Sequence, residues 1–166
     1  MKSKNKYSYP IEQKFIKEIS TTKSPAHRKY KSKNGVLYDL RNAVDFLCGL
    51  NTPVKAAFDG EVVAIVDSLK KNHNKWEPPK NMPEEEQDGN YAVLKHKNKE
   101  LSIYSHLGYR KVLVKKGQKV KTGEVLGYSG STGWSIKPHL HFMVFKFLKK
   151  EPAKDLESLK VGWISE

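Results

Sequence analysis

His139 and His141 stand one residue apart in Pro138-His-Leu-His-Phe142, at the head of an apolar run. A β-strand there turns both rings to the same side of a sheet. Imidazole is the commonest metal ligand and the usual general base near neutral pH. The pair therefore offers either a catalytic metal site or two ordinary polar positions on a half-exposed strand, and its surroundings decide between them. Asp45 is a second candidate, a carboxylate embedded in the apolar run Ala43-Val-Asp-Phe46. Burying it requires a cation, hydrogen-bond donors or a metal. The other histidines are His27, His73, His96 and His106. Asp59, before Gly60, reads as a turn residue.

The elements that must carry these groups are short and extended. Residues 54–57, 60–66, 91–96, 101–106, 111–114 and 140–147 read as strands of four to eight residues with turn signals between them. None of the apolar regions shows sustained helical periodicity, so the chain is expected to be all-β. The expected form is a small antiparallel sandwich or barrel-like domain with a long inserted loop. Its length predicts one domain with a real core. The organisation expected is a basic N-terminal segment (1–34), a β domain (35–148) and a C-terminal tail (149–166). In the first segment Ile11, Phe15, Ile16 and Ile19 suggest a short helix or an edge strand. In the tail Val161, Trp163 and Ile164 suggest a final edge strand docking back. The insertion at 69–88, with Pro78, Pro79, Pro83 and Glu84-Glu85-Glu86, reads as a loop longer than compact domains usually carry. Trp76 within it points to an ordered, functional loop.

Charge and cysteine narrow the field. The net charge is +13. Residues 1–33 hold ten Lys or Arg against Glu12 and Glu18, and a second basic cluster spans 110–121. Such patches attract anionic polymers, although a lysine-rich surface also simply keeps a protein soluble. Cys48 is the sole cysteine, which excludes an internal disulfide and a cysteine zinc knuckle. The first residues lack the apolar stretch of a secretory signal, and no run approaches a membrane helix. A soluble monomer is expected, with the compartment left open.

Several blocks fall in a familiar order. They are Asn51-Thr-Pro-Val-Lys-Ala-Ala-Phe-Asp-Gly60, Gly89-Asn-Tyr-Ala-Val-Leu-Lys-His96 and Tyr104-Ser-His106-Leu107. Gly117–Gly127 and Ser129-Gly-Ser-Thr-Gly133 with Pro138–Phe142 follow. Together they resemble the lysostaphin or LytM type of zinc metallopeptidase over about residues 40–146, outside the insertion. The resemblance implies a small, mostly antiparallel β domain holding one zinc by two histidines and an aspartate. It implies hydrolysis of a peptide bond by metal-activated water, commonly in peptidoglycan cross-links. By matched position His141 and Asp45 become zinc ligands. His106 and His139 become the unligated histidines beside the water, one taking its proton and the other supporting the developing oxyanion. His96 is expected to hold its strand in place, and Tyr104 to have at most a minor part.

One position departs from that pattern. Four residues before the aspartate, where the resemblance implies the first zinc ligand, this chain has Arg41, which stays protonated and cannot ligate. Either the site is degenerate, a non-catalytic binding or regulatory module of the cell envelope, or another histidine completes it. His27, in Ser24-Pro-Ala-His27-Arg28, is the preferred replacement, brought back beside Asp45 on a neighbouring strand through a turn at Lys33-Asn34-Gly35. His73 is the second choice. Gly117–Gly127 also resembles the turn of biotinyl and lipoyl carrier domains, but no lysine stands at a hairpin tip and the His-Leu-His block is foreign to carriers.

Overall fold

The computed structural model describes residues 1–21, 24, 26–77, 82, 86–148 and 155–164. The described residues form thirteen strands and two single-turn 3-10 segments, with no α-helix among them. The strands are β1 (Lys2–Tyr7), β2 (Glu18–Ser20), β3 (Lys29–Lys31), β4 (Leu37–Asp39), β5 (Val44–Leu47), β6 (Pro53–Lys55) and β7 (Gly60–Val66). They continue with β8 (Asn90–Lys95), β9 (Leu101–Val112), β10 (Lys119–Val120), β11 (Val125–Ser129), β12 (His139–Phe147) and β13 (Leu156–Trp163). The main path runs β10-β7-β8-β9-β12-β13-β4-β3, and β5 joins it by pairing with β12 and β2. The pairings are antiparallel except that β13 runs parallel to both β1 and β4.

Strand β12 reads HLHFMVFKF because both of its faces are covered. Leu140, Phe142 and Val144 enter the larger core with Tyr7, Phe46, Leu94 and Tyr104. Met143 and Phe145 enter a smaller cluster with Val93 and Ile103 on the opposite face. Burying a side chain such as Phe142 stabilises the fold by roughly 1.5–3 kcal/mol. This alternation decides where the polar side chains go. His141 stands opposite Asp45 on β5 and opposite Ser105 on β9, so all three share the face of the smaller cluster.

Several elements differ from the sequence expectation. The segments expected at 101–106 and 111–114 belong largely to one twelve-residue strand, β9, which is irregular at His106 and Arg110, both at positive φ. The polar stretch Lys2–Tyr7 is a strand whose Ser3, Asn5 and Tyr7 are buried and whose lysines face outward. Charge masked that alternation. The stretch around Ile11–Ile19 divides into a 3-10 turn at Gln13–Phe15 and the short strand β2. The tail does return as a strand, but between β12, β4 and β1 rather than at an edge. Val36 and Gly35 (φ +81) close a β3–β4 hairpin by bonds to Ser32.

Part of the insertion is tied down. Asn72 bridges to Gly133, the His73 amide donates to the Gly133 carbonyl, and the Trp134 indole N–H donates to the Lys75 carbonyl at 2.8 Å. Pro78, Pro79, Pro83, Glu84 and Glu85 lie outside the described residues. No helix of the described residues is long and apolar enough to cross a membrane.

Candidate metal centre

Three side chains that a metal could use converge on the outer face of the β5–β12 pair. Asp45 Oδ1 lies 2.9 Å from His141 Nδ1 and 3.1 Å from His27 Nε2. Ligand atoms of the three residues all fall within 4.8 Å of one another. His141 and Asp45 meet because they are directly opposed in register. His27 arrives differently. The neighbour of Asp45 on the other side is Ser20 of β2, and His27 follows in the bend between β2 and β3 rather than on a strand. The expected approach through the Lys33-Asn34-Gly35 hairpin is therefore corrected: that turn joins β3 to β4, and the loop after β2 brings His27 back.

The donor set fits a cation. His27 Nδ1 lies 3.0 Å from the Thr21 carbonyl, which can only accept, so Nδ1 carries the proton and Nε2 presents a lone pair. A lone pair facing a carboxylate oxygen at 3.1 Å repels it unless a proton or a metal ion lies between them. Two imidazoles and a carboxylate with further room are a zinc donor set. Burial alone would raise the Asp45 pKa, but the imidazoles beside it, His141 first and then His27, hold it far below the usual carboxylate range. Burial disfavours charge on His141, yet the bond to Asp45 outweighs it and its pKa is raised.

His106 and His139 flank this cluster. Their rings lie 4.6 Å apart between centroids, and His106 lies 5.9 Å from His141. His139 Nε2 is 3.8 Å from Asp45 Oδ1. His106 would point into the core if β9 alternated regularly, since Tyr104 does. Instead β9 inserts one extra residue against β8 between the Ala92↔Tyr104 and Asn90↔Leu107 pairs, and His106 adopts φ +63. That bulge re-aims the ring. The bulge is held by Asp88, whose carbonyl accepts from the His106 amide, and by Gly130, whose amide donates to the His106 carbonyl.

Both flanking rings have one nitrogen committed. His106 Nδ1–H donates to the Thr132 carbonyl at 2.8 Å, and His139 Nδ1–H to the Lys137 carbonyl at 2.7 Å. Each therefore offers Nε2 as a proton acceptor. Burial lowers both pKa values, that of His106 strongly, with His139 and His141 adding to the effect there. Both rings are neutral near pH 7.

The remaining candidates lie elsewhere. Arg41 is on the surface, paired through Nη2 and Nε with Asp39 at 2.7 and 2.9 Å. His73 Nε2 meets Glu86 at 2.9 Å and belongs to the insertion. His96 is buried and fixed by the Asp59 carbonyl and Ser102 Oγ. Tyr104 is fully buried, its oxygen accepting from the Ala57 amide. Asp59 caps the turn at Thr122, and its pKa is lowered to about 2, first by the Thr122 amide.

Clefts open on both sides of the centre. One, of about 230 Å³, runs past His139 to Leu47, Ile136, Trp134 and Trp76. The other, of about 390 Å³, runs past His141 to Met143, Phe145, Tyr91 and Asp88. Sequence reasoning did not single out Asp88, Trp134 or Ser135. Asp88 and Trp134 act across segments far apart in the chain, through the His106 amide and the Lys75 carbonyl, whereas Ser135 Oγ meets His139 Nδ1 at 3.2 Å only four residues away.

Comparison with known proteins yields consistent relatives. Residues 39–154 match the sequence profile of Peptidase family M23. Over 134 residues the chain is 35% identical to the peptidoglycan DD-endopeptidase ShyA of Vibrio cholerae, which covers 81% of this chain and 26% of that protein. It is 33% identical over 108 residues to lysostaphin of Staphylococcus simulans, covering 65% of this chain and 18% of that protein. The chain thus spans about a quarter or less of the length of these relatives. In structure it is similar to a zinc-containing peptidase from Vibrio cholerae, with TM-score 0.56 and 30% identity over 84% of this chain and 36% of that one. The catalytic domain of Staphylococcus simulans lysostaphin gives TM-score 0.51 and 30% identity over 76% and 78% of the two chains.

Proposed function

The chain belongs to peptidase family M23, and on that premise we propose that it is a zinc-dependent endopeptidase acting on peptidoglycan peptides. The observation that carries this reading is the joint arrangement of two groups. His27, Asp45 and His141 bring possible ligand atoms within 4.8 Å of one another, and His106 and His139 present Nε2 acceptors beside them. A zinc ion held by those three residues supplies a Lewis acid and lowers the pKa of a coordinated water to about 7.

The work of the protein's own residues follows from the tautomers. His139 Nε2 takes the proton of the attacking water. The nearby Asp45 carboxylate favours the imidazolium that results, since its charge opposes the lowering by burial. The protonated ring then has a donor to offer the leaving amine, as general acid following general base. His106, deeper and more firmly neutral, faces the same space with Nε2 as an acceptor, so it can take a hydrogen bond from the second hydrogen of the water and hold that water in place. The two clefts accept the substrate chain on either side of the bond. The peptidoglycan substrate follows the similarity to the peptidoglycan DD-endopeptidase ShyA, and oligoglycine follows that to the glycyl-glycine endopeptidase ALE-1 of Staphylococcus capitis.

Purified protein is expected to bind about one zinc per chain and to cleave muropeptides or oligoglycine. His139→Ala is expected to keep the zinc and lose about 10²–10⁴-fold in rate. A protein that takes up no zinc at micromolar concentration, or a His139→Ala variant as active as the wild type, would overturn the proposal.

A further inference from the structure

The cleft on the Met143 side is out of keeping with the charge of the chain. The protein carries 31 Lys and Arg against 18 Asp and Glu, yet among the described residues no Lys or Arg lines this cleft, and Asp88 is its one carboxylate. The walls are aromatic: Tyr91, Phe145, and the pair Tyr30 and Tyr38, stacked at 5.2 Å and 11°. Arg28 stacks on Tyr30 at 5.5 Å but does not line the cleft.

Asp88 is held firmly at the inner end. Ser105 Oγ donates to its Oδ1 at 3.3 Å, and its own carbonyl holds the His106 amide at 2.9 Å. Its charge reaches both Tyr91 and His141. No ion pair among the described residues includes it, while its neighbour Glu86 has Lys71 and His73. An apolar side chain filling this cleft would strip water from Asp88 without replacing it, at a cost. A cation would be met by the carboxylate and by the faces of the tyrosines together.

We propose that this cleft binds a primary ammonium on a side chain of the substrate peptide, with Asp88 as its counter-ion. The proposal rests on the endopeptidase reading for what the ligand is attached to. The net charge of +13 repels such a group at long range, so selection arises from the short-range contacts with Asp88 and the aromatic walls.

The test uses labelled alanine pentapeptides with a single lysine at each position in turn, free or Nε-acetylated. Binding is read by fluorescence anisotropy on the zinc-loaded His139→Ala protein, and hydrolysis in parallel on the wild type. At one position or more the free amine is expected to bind about tenfold tighter than its acetylated partner. Asp88→Asn, introduced into the same background, is expected to bring the two within about twofold. Equal binding of free and acetylated peptides at every position would overturn the proposal, whatever the variant does. So would a preference that survives in an Asp88→Asn protein whose circular dichroism matches the parent. Preferential binding by a zinc-loaded wild type that hydrolyses neither these peptides nor muropeptides and oligoglycine would leave the ammonium site standing and remove the endopeptidase reading. Hydrolysis of both peptides at equal kcat/KM would do the reverse.

Discussion

His27 Nε2 lies 3.1 Å from Asp45 Oδ1, eighteen residues further along the chain, which sets an imidazole beside the carboxylate where position 41 offers only an arginine. The carboxylate and His141 are brought together by strand register alone. His27 instead follows β2 in a loop, and its Nδ1 is held at 3.0 Å by the Thr21 carbonyl. Arg41, at the position where the resemblance implies a ligand, is spent on Asp39 at the surface.

The two residues therefore predict opposite outcomes on metal binding. Losing a histidine from a three-residue donor set should weaken zinc by more than the 10–100-fold typical of residues that only orient a ligand. His27→Ala is expected to do so, and Arg41→Ala to leave stoichiometry and affinity unchanged. Competition with a chromophoric chelator measures both. An Arg41→Ala protein that loses its zinc while His27→Ala keeps it would reverse the assignment.

Gly89 makes a separate prediction about how the site is held. It sits at φ +64, and a Cβ there would lie 2.4 Å from the Thr132 carbonyl oxygen. That same oxygen accepts the His106 Nδ1 proton. An alanine would have to take a left-handed conformation, costing roughly 1–2 kcal/mol, and push against backbone, costing about 1–3 more. Gly89→Ala is expected to lower Tm by roughly 5–15 °C, at about 2–4 °C per kcal/mol for this size. It should also reduce kcat in the fraction that remains folded. An unchanged Tm would show that the Thr132 loop yields easily and does not fix His106.

How much of this was open to reading from the chain follows from the same contacts. His139, His141 and Asp45 stand out because strand periodicity and a carboxylate in an apolar run are local signals. The strands β7, β8 and β12 are legible for the same reason, being apolar over most of their length. Lys2–Tyr7 was not legible, since its buried positions are Ser3, Asn5 and Tyr7 and its register is set by β13 at the far end of the chain. Those polar groups are satisfied over long range: Glu100 accepts from the Tyr7 hydroxyl and from the Asn5 amide. The bulge at His106 was equally hidden, because it arises from a mismatch between two strands and leaves no mark in either one alone.

Trp76 gives a prediction about the insertion. Its side chain is 66% exposed, yet it lines the cleft beside His139. The indole of Trp134 fixes the carbonyl of the preceding residue, Lys75. An exposed indole held beside the site can add binding energy without touching the reacting atoms. Trp76→Ala is expected to raise KM roughly 3–10-fold with kcat within about twofold, the pattern of lost uniform binding. A fall in kcat with KM unchanged would instead tie Trp76 to the chemical step.

The titration of the flanking histidines fixes the acid limb of activity. Water activation needs neutral Nε2 on His139, and His106 stands 4.6 Å from it between ring centroids. Burial lowers both pKa values from 6.5, and for His106 the positive charge of neighbouring rings lowers it further. A nearby metal cation acts in the same direction, since like charges disfavour the protonated ring. On the proposed mechanism activity thus persists to lower pH than an ordinary imidazole would allow, and is lost as pH drops through the lowered folded-state values. The profile of kcat/KM, which reports the free enzyme, is expected to have its acid limb below 6.5. Zinc loss also occurs in acid, because protons compete for the ligands, so metal content must be followed at each pH. An acid limb above 7 in fully zinc-loaded protein would mean that a group other than these buried rings takes the proton.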